Sequence, residues 1–186
     1  MIAVSKGRRM KFTIVAVGKL KEKFWTAACA EYLKRMQPYG KTEVREIADV
    51  DPARAGGVDA ARDREGAAIL AALGPSAHVV LLAIDGKQRS SESFSQRIDA
   101  LKLNGASDIA FVIGGSDGVS AAVRQRADET LSFGPITLPH NLARVVLLDS
   151  STAPRKSHAA SHTINETKGR VNVSSSRERS SPLSPE

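Results

Sequence analysis

Apolar and polar positions along this chain change period repeatedly, from short unbroken apolar runs to longer stretches where apolar residues recur every three or four positions. FTIVAV (12–17) is a run of the first kind, closed by Gly18, and predicts a buried strand. Glu22 to Met36 is of the second kind: Phe24, Ala27, Ala28, Tyr32 and Met36 fall at helical spacing, and Pro38 with Gly40 ends the segment. A weaker strand is predicted around Val44 to Ala48, then a loop over DPARAGG (51–57) and a second helix over residues 58–73. HVVLLAI (78–84) predicts a buried strand, with Asp85 and Gly86 turning the chain. Ser90 or Ser91 can cap a third helix that carries Phe94, Ile98 and Leu101 on one face. DIAFVI (108–113) predicts a fourth strand and residues 119–130 a fourth helix. LPHNLARVVLLD (138–149) offers Leu142, Val145, Val146 and Leu148 for burial, in a run that fits helix or strand.

This βαβα alternation predicts an α/β fold, a mostly parallel sheet flanked by helices on both faces. A length of 186 residues suits one domain with a real core. The rhythm fails after Leu148. The stretch from Ser150 to the end holds ten serines, three prolines and no aromatic residue, too little apolar surface to offset its ordering entropy. The expected organisation is therefore a disordered N-terminal extension over residues 1–9, an ordered domain over 10–148 and a disordered tail over 149–186.

The net charge of +7 suggests a nucleic-acid binder until its distribution is considered. Lys6, Arg8 and Arg9 supply three charges before Met10, and six bases against four acids follow Leu148. The remainder is an ordinary balance, so RNA binding does not follow from overall charge. Cys29 is the single cysteine, which excludes an internal disulfide, gives no metal pair and fits a reducing cytoplasm. No apolar run reaches membrane-spanning length, and MIAVSKGRR is not followed by a secretory hydrophobic region. The expectation is a cytoplasmic protein with no metal and no membrane partner.

Candidate chemistry begins at FVIGGSDGVS (111–120), where a strand ends in paired glycines. Glycine at a strand's carboxyl end lets main chain approach a ligand closely, and α/β sheets bind ligands there. A Walker A loop would need Lys and Ser or Thr after the last glycine, but Val119 and Ser120 follow Gly118. A dinucleotide fingerprint would open the first helix of a βαβ unit, and this stretch is G-G-x-x-G on a late strand. The alternative is a tight strand-to-helix turn.

Taken in order with VAVGKLKEKFW, VVLLAIDGK (79–87) and LSFGPITLPHNLARVV (131–146), the IGGSDG turn resembles the ribosomal RNA large subunit methyltransferase H family, small members of the knotted SPOUT methyltransferases. The resemblance covers residues 10 to about 148. It implies a SPOUT-type α/β knot and S-adenosylmethionine-dependent methylation of N3 of a pseudouridine. The implied substrate is a 23S rRNA hairpin in the assembled large subunit, and the implied assembly is a homodimer. The family's cofactor contacts fall on Leu82, on Gly114, and on Phe133, Gly134, Pro135, Ile136, Thr137 and Leu138. The acceptor nitrogen must lose its imide proton, so a base or a nearby cation would help. His140 and Arg144 are the candidates; the alternatives are a capping or loop histidine, and a solvent-facing or interface arginine. Asp85 and Asp117 read as turn residues. Lys87, Arg89, Arg124 and Arg126 are open to contacts with RNA backbone or to simple solvation.

The resemblance breaks after Leu148. The family continues through a Gln, a Tyr-Arg-Ala run and a late Tyr-His pair; here SSTAPRK follows, and His158 and His162 stand in a different context. So abrupt a departure is what a reading-frame change near residue 149 would produce, and MIAVSKGRR precedes the family's usual start at Met10. The knot helix is expected to be incomplete, with Pro154 stopping it soon after Ser151. A catalytically inactive remnant that at most binds RNA or dimerises is the alternative reading.

Overall fold

The computed structural model describes residues 9–152, which belong to one compact unit. The N-terminal extension up to residue 8 and the predicted tail from residue 153, with Pro154, His158 and His162, lie outside the described residues, whereas residues 149–152, assigned to that tail, continue the last helix because its apolar face is buried. Five strands form one sheet: β1 (Met10–Val17), β2 (Gly40–Ile47), β3 (His78–Gln88), β4 (Asp108–Ile113) and β5 (Glu129–Ser132). Their order is β2-β1-β4-β3-β5 and every pairing is parallel. The helices are α1 (Lys23–Met36), α2 (Pro52–Ala55), α3 (Val58–Ala72), α4 (Ser91–Leu103), α5 (Ala121–Arg126) and α6 (His140–Thr152).

The two-residue period of the strands sorts the core into two layers. Phe12, Ile14 and Ala16 of β1 point with Ile109, Phe111 and Ile113 of β4 to one face, where Cys29 and Met36 of α1, Phe94 and Ile98 of α4, and Leu147 and Leu148 of α6 cover them. Val15 and Val17 point with Ala110 and Val112 to the other face, covered by Ile69 of α3 and Val123 of α5. Burial on both faces explains why β1 and β4 read as continuous apolar runs. The run at 138–149 resolves as a helix, α6, packed against α1, α4 and the two central strands.

Four elements depart from the pattern-based reading. The helix predicted to residue 130 ends at Arg126, and β5 follows. Asp128 makes the difference: its carboxylate accepts from the Val79 N–H (2.7 Å) while its own N–H donates to the Val79 carbonyl (2.9 Å), which sets the chain beside β3. β2 starts at Gly40, earlier than the weak strand predicted, because its first half pairs with β1 although its side chains are polar. The loop over 51–57 contains a single turn, α2, whose N-cap Asp51 accepts from the Ala53 N–H. Asp85 and Gly86 do not end the strand; β3 runs on to Gln88, and since Leu82 and Lys87 both pair with Leu131, residues 83–86 bulge out between them. The helix cap was placed correctly, with Ser90 accepting from the Ser93 N–H.

At the β5 edge, Glu129 receives His78 Nε2 (2.8 Å), Arg97 Nε (3.2 Å) and Arg89 Nη2 (3.3 Å). Burial alone would raise this carboxyl, but the His78 hydrogen bond and the Arg97 charge overcome it and hold it below the ordinary value of 4.5. A carboxyl depressed in the folded state contributes stability that is present above its unfolded pKa and lost as pH falls through the folded one. Glu129→Gln is therefore expected to lower stability at neutral pH and to flatten its fall below about pH 4.5, followed by urea unfolding across pH. Parallel pH curves for the variant and the parent chain would show that the cluster does not drive the acid limb.

Candidate functional site

The carboxyl ends of β3, β4 and β5 open into a cleft of about 710 Å³. Its walls are the end of β3 (Leu82 to Asp85), the turn between β4 and α5 (Ile113 to Val119, without Asp117), and the segment from Leu131 into the first turn of α6. Parallel strands deliver their connections to this side of the sheet, so three loops distant in sequence meet there. The β4–α5 turn is tight: the Gly118 N–H donates to the Gly115 carbonyl (3.1 Å), with Asp117 inside the turn as expected. Of the eight residues assigned to a cofactor by resemblance, all but Pro135 line the cleft.

One residue that the sequence reading did not single out organises the third wall. Ser132 is buried at the end of β5, donates to the Ile84 carbonyl (3.0 Å) and accepts from the Gly134 N–H (3.1 Å). It fastens the start of the 133–139 loop to β3. Gly134 then takes φ +115°, a left-handed conformation that glycine adopts without strain, and space stands open where a side chain would be. A serine inside an apolar strand end carries no signal of this role until the carbonyl beside it is known.

His140, the first residue of α6, lines the cleft and is half-buried. Behind it lies the β1–α1 turn, so close that a Cβ built on Gly18 would stand 3.2 Å from His140 Nε2. Arg144, one helical turn further along α6, does not line the cleft and is not solvent-facing, being 1% exposed. Its Nη1 donates to Glu46 Oε1 (2.8 Å), and its Nη2 to the carbonyls of Val17 (3.2 Å) and Gly18. Glu46 also accepts from the Leu20 N–H (3.0 Å). Burial would raise the Glu46 carboxyl, but that N–H and the Arg144 guanidinium bring it below the ordinary range. Structure thus joins the two candidates through one turn, His140 in front of it and Arg144 clamping it from within.

Of the four basic candidates for RNA contact, Lys87 is exposed near the end of β3 and the three arginines are partnered. Arg89 pairs with Glu129, Arg124 with Asp85 and Arg126 with Asp128. Among the described residues there is no cluster of His, Cys, Asp or Glu that could hold a metal, and no helix long and apolar enough to cross a membrane.

The lining decides what the cleft can hold. Its volume falls within the range of roughly 300–1,000 Å³ typical of small-molecule sites. Apolar side chains and main chain dominate it, and Arg124, already paired, is the one Lys or Arg among the lining residues. A polyphosphate would find little counter-charge there. A flat heterocycle with a ribose would find apolar walls and backbone donors and acceptors.

A family model described as "Predicted SPOUT methyltransferase" matches residues 10–150. Proteins named ribosomal RNA large subunit methyltransferase H are similar to this chain: one from Listeria monocytogenes serotype 4b is 47% identical over 143 residues, which cover 75% of this chain and 90% of that one. One from Bacillus cytotoxicus and one from Latilactobacillus sakei are each 46% identical with the same coverage. Among solved structures, a probable methylase family protein from Haemophilus influenzae superposes with a TM-score of 0.47 at 10% identity, over 87% of this chain and 73% of that one.

The Arg144 clamp is open to direct measurement. Glu46→Ala leaves a buried guanidinium without its counter-charge and is expected to cost roughly 3 kcal/mol in denaturant unfolding, since the two carbonyls remain as acceptors. Glu46→Gln, which keeps an oxygen acceptor, is expected to cost clearly less. Equal losses for the two variants would mean that charge pairing is not what holds this turn.

Proposed function

Because the chain belongs to the SPOUT methyltransferases, and within them to the ribosomal RNA large subunit methyltransferase H family, we propose that it methylates N3 of a pseudouridine in a 23S rRNA hairpin of the large ribosomal subunit. In this reading it works in the cytoplasm as a homodimer, and its cofactor is S-adenosylmethionine. The observation that carries the reading is the cleft at the strand ends, nucleoside-sized, apolar and lined by main chain. When bound, S-adenosylmethionine supplies a methyl group already activated on a sulfonium, so the protein needs little electrophilic chemistry of its own.

The chain's own residues then have three tasks. Leu82, Gly114 and the loop of Phe133, Gly134, Pro135, Ile136, Thr137 and Leu138 hold the adenosyl group, with backbone groups reading the base and apolar side chains excluding water. His140 takes the N3 proton as the acceptor is alkylated, because it is the one imidazole on the lining. Arg144 acts through the β1–α1 turn: it fixes the main chain against which the His140 ring rests, and so serves as a positioning residue. Proximity and orientation supply much of the rate in such a site.

The family match ends at residue 150, and this favours a second reading in which the chain retains the ancestry without turnover. Calorimetric titration of the 186-residue chain with S-adenosylmethionine, beside a chimera that carries the family pattern after Leu148, separates the two. Saturable binding by both and methyl transfer to unmethylated large subunits is the expected result. Binding by the chimera alone would establish the second reading. In the active form, His140→Gln is expected to lower kcat on the order of 100-fold or more while cofactor affinity changes only a few-fold; an unchanged kcat would remove His140 from proton transfer.

A further inference from the structure

Two opposite charges stand on a lining whose other polar side chains are Ser116, Ser132, Thr137 and His140. Asp85 comes from the shifted stretch of β3 and Arg124 from α5, and both line the cleft. Arg124 Nη1 lies 3.3 Å from Asp85 Oδ1 and 3.1 Å from Oδ2. Their side chains are 51% and 69% exposed for Arg124 and Asp85, so the pair sits at the mouth, in water. An exposed pair of this kind adds little to stability, and the other elements around it are already joined: α5 is capped by Ser120 and packed through Val123, and β3 is paired with β4 and β5. Its place on the cleft therefore calls for another explanation than fold stability.

We propose that Asp85 and Arg124 form the subsite for a zwitterionic amino-acid group carried by the ligand, Asp85 receiving its α-ammonium and Arg124 its α-carboxylate. The inference rests on the cofactor reading above and deepens it. A zwitterion is the electrical complement of an ion pair: brought alongside in the opposite sense, it makes four charges alternate, and neither protein charge has to lose its partner. The guanidinium suits a carboxylate in particular, since its planar fork donates two parallel hydrogen bonds. The ends of the cleft are chemically distinct in consequence. Apolar walls and main chain suit a nucleoside, and the charged mouth suits the amino acid attached to it. Asp85 is thereby a recognition residue in an irregular strand where the sequence suggested a turn, and Arg124 faces the cofactor where the sequence suggested RNA backbone or solvent.

Ligands that share the nucleoside and differ in the tail test this directly. The full chain is titrated calorimetrically with S-adenosylhomocysteine and with 5′-methylthioadenosine, which lacks the amino acid. The unaltered chain is expected to prefer S-adenosylhomocysteine by about tenfold or more. Asp85→Asn and Arg124→Gln are each expected to reduce that preference several-fold and to leave 5′-methylthioadenosine affinity within about twofold. The charge-reversed double variant, Asp85→Arg with Arg124→Asp, keeps an ion pair and is expected to keep the thermal midpoint while losing the preference. Equal preference in the unaltered chain and in all variants overturns the subsite and leaves the cofactor reading standing. Equal weakening of both ligands by the single variants also overturns it, since the pair would then shape the cleft as a whole. Failure of the unaltered chain to bind either ligand removes the cofactor reading and the subsite with it.

Discussion

One buried guanidinium holds the last described helix to the first strand. Arg144 has lost almost all its water, which a cation tolerates only where acceptors replace it, and here Glu46 and the carbonyls of Val17 and Gly18 do so. Those acceptors fix the approach of α6 to the sheet. His140 lies four residues earlier, on the same side of the helix, so its place follows from that of Arg144. The residues just before His140 form the third wall of the cleft. Strand end, turn, helix and loop are thus aligned from a single point.

Much of this was legible along the chain, and the reasons differ from element to element. β1 and β4 were legible because burial on both faces removes every polar interruption. β5 was not, because four residues are too few for a period, and what makes ETLS a strand is a pair of hydrogen bonds between Asp128 and Val79, far away in sequence. The residues that the family resemblance assigned to a cofactor, all but Pro135, fall on the lining of the cleft, because the motifs that carry the resemblance are themselves its loops. Arg144 was singled out, but its task depends on Glu46, 98 residues earlier, and no local pattern carries that relation. Ser132 gave no signal at all, since a serine that ties a loop to a strand looks like any other serine.

The walls of the cleft are strand ends and loops whose backbone course sets its shape, and this limits what kind of change can alter it. Replacing one apolar side chain by another of similar volume leaves the carbonyl and amide groups in place. Replacing a residue that fixes the backbone does not, and Ser132, Gly134 and Gly18 are of that kind.

The reach of the Arg144 clamp also bears on how the molecule comes into being. Its contacts to Val17 and Gly18 close loops of 127 and 126 residues, and β1 finds its partner β4 only after four helices and two strands have intervened. Such closures are entropically costly and slow, and they form late. During synthesis the first strand must wait for nearly the whole domain to emerge before its end is capped. No partial chain owns a third wall, so the cleft is completed at the close of folding and not gradually along it. Translation and completion of the cleft are in this way ordered in time by the placement of one arginine near the far end of the domain.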